Sequence, residues 1–95
     1  MSTNPEIRKA YKVHGRVQGV GFRWWAQRKA QQLGLRGRVR NCADGSVEIA
    51  IAGPESAVEE MSVRLKSGPR GAHVHHLEEL PPPPGNLPND FQISL

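Results

Sequence analysis

A chain of 95 residues is long enough for one hydrophobic core and too short for two, and with 37% hydrophobic and 23% charged residues it has the balance of an ordinary globular domain. No apolar run approaches the roughly 20 residues of a membrane helix, which argues against a membrane partner. The formal net charge of +4 calls for an anionic partner, but only 5% of the residues are aromatic, too thin a stacking surface for unpaired bases, so small phosphorylated molecules are favoured over nucleic acid.

The opening Met1 to Pro5 is polar and lacks the basic-then-apolar layout of a secretory signal. Residues 1–6 are expected to be a flexible tail on a single domain spanning 1–95. The lone Cys42 has no internal partner for a disulfide, consistent with a reducing, cytoplasmic setting. From Ala10 to Val17 the residues Tyr11, Val13, Gly15 and Val17 alternate with Lys12, His14 and Arg16, which predicts a half-buried first strand. The period then changes. Phe22, Trp25, Ala26, Ala30 and Leu33 keep helical spacing, and Gly34 stands where a helix C-terminal glycine belongs.

Leu35, Gly37, Val39 and Asn41 next alternate with Arg36, Arg38 and Arg40, predicting a second strand with an arginine row on its solvent side. Asp44-Gly45 is a tight-turn signal, and Val47, Ile49 and Ile51 alternate after it, so strands two and three form a hairpin. Pro54 suits a first helical turn. Val58, Met61 and Leu65 hold one face of a second helix until Gly68-Pro69 ends it. Ala72 to Leu80 reads as a fourth strand whose apolar points Val74 and Leu77 are three apart, a spacing that demands a bulge or shifts the register. Pro81 to Pro84 cannot enter a central ladder and are expected as a solvated polyproline spacer before Phe91-Gln92-Ile93 rejoins the sheet at an edge. The order predicts an α+β, ferredoxin-like split βαββαβ sandwich: an antiparallel sheet, two helices on one face and a short C-terminal strand.

The chemistry concentrates between strand one and helix one, in Gly15-Arg16-Val17-Gln18-Gly19-Val20-Gly21-Phe22-Arg23. Glycines let successive backbone N–H groups turn toward one point, and the following helix adds its positive end, so the segment reads as an anion cradle. Arg23 can fork two donors onto phosphate oxygens, which lysine cannot match. The loop lacks the Gly-Lys-Ser/Thr ending of a nucleotide P-loop, and its glycine spacing differs from the dinucleotide fingerprint. A glycine loop that merely joins a strand to a helix remains open on these grounds alone.

Val13 to Arg23 resembles the first signature of the acylphosphatase family, and Gly37-Arg38-Val39-Arg40-Asn41 through Gly45, Val47 and Gly53 resembles the second. The similarity continues through Leu33-Gly34-Leu35, the second helix and Phe91-Gln92-Ile93. The resemblance implies the ferredoxin-like fold, a phosphate cradle formed by Arg16, Val17, Gln18, Gly19, Val20, Gly21, Phe22 and Arg23, catalysis by Arg23 and Asn41, and no cofactor or metal. It implies acyl phosphates and inorganic phosphate as partners and a monomer as the working unit. Residue 38, commonly aromatic in the family, is Arg38 here.

An acyl phosphate expels a carboxylate, a leaving group that needs no protonation, so the absence of a general-acid pair, a Ser-His-Asp set or a catalytic cysteine is compatible with hydrolysis. Backbone N–H groups and Arg23 are expected to stabilise the equatorial oxygens while Asn41, on the face of Leu35 and Val39, orients the water. Other candidates weigh less. His73 and His75 share a strand face while His76 points away, and no Cys or carboxylate is spaced to complete a tetrahedral metal site. Cys42 reads as an incidental small residue, Trp25 as core, and Trp24 as surface near the loop with a possible contact to an acyl group. Two alternatives stand beside the enzyme: a nucleic-acid-binding ferredoxin-like domain, which needs exposed aromatics the central strands lack, and a noncatalytic anion-binding module of the kind found in larger carbamoyl-transfer proteins.

Overall fold

The computed structural model of the chain describes residues 5–94. Its elements are β1 (Ile7–Arg16), α1 (Phe22–Gln32), β2 (Arg36–Asn41), β3 (Val47–Gly53), α2 (Glu55–Ser67), β4 (His73–Leu80) and β5 (Phe91–Ser94), the split βαββαβ order with one strand added. The sheet order is β4-β1-β3-β2-β5. The first four strands pair antiparallel, while β5 runs parallel to β2, so the sheet is mixed. Strand β1 starts three residues earlier than its alternation indicates, because Ile7, Arg8 and Lys9 pair with Gly53, Ala52 and Ile51 of β3. Val17 lies just beyond its end and is buried.

Both helices cover one face. Tyr11, Val13, Val39, Ile49 and Ile51 from the strands meet Phe22, Ala26 and Ala30 of α1 and Val58, Met61 and Leu65 of α2 in a single cluster. These are the residues whose periodicity marked them as apolar faces, and burial of each large side chain is worth roughly 1.5–3 kcal/mol. Helix α1 ends in a Schellman motif: the Gly34 N–H donates to the Gln31 carbonyl at 3.1 Å and the Leu35 N–H to the Ala30 carbonyl at 2.9 Å. Strand β4 carries the expected irregularity. Its register against β1 slips between His14 and Gly15, which leaves His75 as the extra residue, so that Val74 and Leu77, three apart, both pack on the core.

The proline segment is exposed at Pro81, Pro82 and Pro84, as expected of a solvated spacer, but departs from expectation at Pro83 and in its path. Strands β4 and β5 sit at opposite edges, four strand spacings or roughly 19 Å apart, so Pro81 to Asp90 must cross the sheet. The helices occupy one face, so the chain crosses the other. Leu87 and Leu80 pack with Ala10, Ala50 and Ala52 there, and Pro83 is buried rather than solvated. The arginine row is correspondingly not a free solvent face. Arg36 is only half-exposed and donates from Nη1 to the Leu87 and Pro88 carbonyls at 2.7 and 3.2 Å, while Nη2 and Nε fork onto the Glu6 carboxylate at 2.7 and 2.8 Å. Arg40 pairs with Glu48 at 3.0 Å, and Arg38 lies in register between Ala50 of β3 and Gln92 of β5. Of the expected tail, residues 1–4 lie outside the described residues, and Glu6 is exposed but held by the Arg36 fork.

Candidate active site

The split topology brings the end of β1, the start of α1, the end of β2 and the end of β5 to one end of the sheet. The connection from β1 to α1 runs through Val17 to Gly21, and two of its glycines take left-handed backbone angles, φ 77° at Gly19 and 76° at Gly21. Gly21 is the residue before α1, and it provides no side chain to cap that helix. Among the described residues, the backbone N–H groups from Gln18 to Trp24 find no acceptor. Exposed N–H groups at the positive end of a helix form a site built for an anion.

A shallow pocket of about 200 Å³ opens over these donors. Val17, Gln18, Gly19, Gly21 and Phe22 line it from the loop, Arg23 and Trp24 from the first turn of α1, Asn41 from the end of β2 and Ile93 from β5. Arg23 and Asn41 therefore meet at one cavity. Of the other expected cradle residues, Arg16 is exposed at the end of β1, paired in register with His73, and Val20 packs against the core, so neither lines the pocket.

The side chains around the pocket are themselves held. Arg23 Nη1 donates to the Ser94 carbonyl at 3.3 Å, and Gln27 Nε2, one turn further along α1, donates to the Phe91 carbonyl at 3.1 Å. Gln18 turns its amide away from the cradle: Nε2 donates to the Cys42 carbonyl at 2.8 Å and to the Ser46 carbonyl at 2.9 Å. That amide staples the glycine loop to the β2-β3 hairpin next to Asn41. The hairpin is braced from within, since the Cys42 N–H donates to the Ser46 carbonyl at 2.8 Å and the Ser46 N–H to Asp44 Oδ1 at 3.0 Å. Lys12 of β1 adds an ion pair to Asp44 at 3.2 Å. The Ser46 hydroxyl and N–H, together with Lys12, hold the Asp44 carboxyl well below the usual carboxylate range, and Asp44 raises Lys12 in turn.

Two features of the site were not visible in the sequence. The edge strand β5 supplies a wall through Ile93 and an acceptor through Ser94, which follows from its pairing with β2 and not from any local pattern. The stapling by Gln18 is equally silent, because a neutral amide in a loop carries no sign of whether its backbone or its side chain is used. The histidines lie elsewhere. His73 and His75 face each other with ring centroids 4.7 Å apart, His76 stacks on His14, and among the described residues no group of three or more His, Cys, Asp or Glu is placed to hold a metal ion.

Comparison with known proteins gives the same answer from sequence and from fold. The family model described as Acylphosphatase matches residues 9–93. An acylphosphatase of Rhizobium etli is 49% identical over 83 residues, which cover 87% of this chain and 88% of that protein. The crystal structure of acylphosphatase from Bacillus subtilis superposes with a TM-score of 0.82 at 36% identity, covering 93% of this chain and 98% of that one. The crystal structure of T. kodakarensis HypF matches with a TM-score of 0.76 at 33% identity, covering 92% of this chain but 12% of that much longer one.

Proposed function

The chain belongs to the acylphosphatase family and hydrolyses acyl phosphates, and on that premise we propose that the Arg16 to Arg23 segment holds the phosphoryl group while Asn41 holds the attacking water. The observation that carries this division of labour is the convergence of Arg23, the unpaired loop amides and Asn41 on one pocket. In the reaction the water oxygen bonds to phosphorus as the bond from phosphorus to the acyl oxygen breaks, and the electron pair leaves with the carboxylate. The water's proton passes to a phosphoryl oxygen, giving inorganic phosphate. The leaving carboxylate is stable as formed, so no general acid is required. Charge on the equatorial oxygens meets the loop N–H groups and the Arg23 guanidinium, and fixed donors of this kind stabilise a phosphoryl-transfer transition state without reorganising.

Arg23 is half-buried and tethered to Ser94, so it is presented in place rather than recruited. Asn41 offers a carboxamide oxygen to accept from the water. The lone Cys42 suits a reducing cytoplasm. Among the described residues no helix is long and apolar enough to cross a membrane. Turnover of acetyl phosphate beside a phosphate monoester, each with and without chelator, tests the reading. We expect acetyl phosphate to be cleaved and the monoester spared, because the monoester's alkoxide needs an acid the pocket lacks. The chelator should leave the rate unchanged, since amides and Arg23 supply the positive charge; monoester turnover, or activity restored by a divalent ion, would contradict it.

A further inference from the structure

Trp24 is 59% exposed, the most exposed large apolar side chain among the described residues. A single exposed tryptophan is unremarkable by itself. Its surroundings are not. Trp24 follows Arg23 on the first turn of α1 and lines the phosphate pocket, and it also lines a second concavity with Trp25, Arg28, Lys29 and Gln32, so the indole is the ridge between the two. The Arg28 guanidinium lies 4.7 Å from the centroid of that ring. Helix α1 carries no acidic residue, and Arg28 and Lys29 make no ion pair among the described residues. The ridge is therefore flat and apolar on its own surface and cationic on its far side.

The chemistry of the pocket determines what reaches this ridge. A phosphoryl group seated on the loop amides leaves its acyl part toward the open side of the cavity, whose lining includes the exposed Trp24. In-line attack sets the leaving carboxylate opposite the water, so with the water held on β2 the acyl group leaves on the side away from Asn41, and the exposed large apolar side chain of the lining is Trp24 of α1. We propose that Trp24 and Arg28 form an acyl-recognition platform that selects acyl phosphates whose acyl part is a planar ring, and favours those carrying a further negative charge. The ring stacks on the indole, Arg28 fixes the indole by packing over its ring, and an acidic substituent reaches the cations that make no ion pair. The inference rests on the pocket being the acyl phosphate site, and it adds the class of acyl group.

The test measures kcat/KM for acetyl, benzoyl and 4-carboxybenzoyl phosphate in the wild type, Trp24→Ala, Trp24→Phe and Arg28→Gln. Turnover of acetyl phosphate by the wild type checks the underlying reading separately. Comparing ratios between variants cancels the intrinsic reactivity of each substrate. In Trp24→Ala the benzoyl-to-acetyl ratio should fall by roughly fivefold to tenfold, and Trp24→Phe should restore most of it. In Arg28→Gln the 4-carboxybenzoyl-to-benzoyl ratio should fall by about threefold, and added salt should erase the same preference in the wild type. An unchanged benzoyl-to-acetyl ratio in Trp24→Ala overturns the proposal. So does a Trp24→Ala variant that weakens inhibition by inorganic phosphate as much as it weakens turnover of benzoyl phosphate, because the indole would then be serving the cradle and not the acyl group.

Discussion

Arg23 is the residue whose replacement separates charge from geometry. Arg23→Lys keeps a cation on the first turn of α1 but gathers its donors on one nitrogen and loses the planar fork, so the tether to Ser94 and a bidentate contact with phosphate cannot coexist. The variant is expected to lose about 2–4 kcal/mol of transition-state stabilisation, read as kcat/KM for acetyl phosphate. Near-native kcat/KM in a folded lysine variant would remove Arg23 from the clamp. The position of Arg23 was legible in the sequence, since the glycines before it and the helical period after it place it on a first turn. The use of Gln18 was not: its place in the cradle segment could be read, but that its side chain bonds Cys42 and Ser46 depends on how closely the hairpin approaches the loop.

The β2-β3 hairpin is the element that carries Asn41, and its turn is electrostatically set. Asp44 is held well below the usual carboxylate range by Ser46 and Lys12, whereas its unfolded value is that of an ordinary aspartate, 3.8. A carboxyl whose folded value is depressed contributes stability that is fully present above the unfolded value and is lost as pH falls toward the folded one. The melting temperature of the wild type should therefore exceed that of Asp44→Ala by a constant margin near neutrality, and the margin should shrink as pH drops below 3.8. A margin that persists unchanged into strong acid, or widens there, contradicts the role of Asp44. Strands and helices were the most legible parts of the chain, because alternation in β2 and β3 and helical spacing in α1 and α2 name the buried faces directly. The odd spacing of Val74 and Leu77 likewise announced the bulge at His75. Gly15 shows why the register slips there: a Cβ at this residue would sit 2.0 Å from the His73 carbonyl oxygen, so β4 crowds against a position that only glycine can fill.

At the scale of the whole molecule the sequence was least informative, because the path of a connection depends on where its two ends land. Four prolines read in isolation look solvated. Once β4 and β5 occupy opposite edges, the same segment must cover Ala10, Ala50 and Ala52, and Arg36 ties it down through two of its carbonyls. That crossing delivers β5 beside β2, and so delivers Ile93 and the Ser94 carbonyl to the pocket. In the proposed division of labour the assembled molecule holds phosphate from one side, on the loop and α1, and water from another, on β2. Asn41→Ala tests that separation most directly, with inorganic phosphate titrated calorimetrically and acetyl phosphate turnover measured on the same preparation, whose fold is checked by thermal melting. The expected result is phosphate affinity within a few-fold of wild type and a kcat reduced by roughly a hundredfold or more. Equal losses of affinity and rate, or near-native turnover, would contradict it.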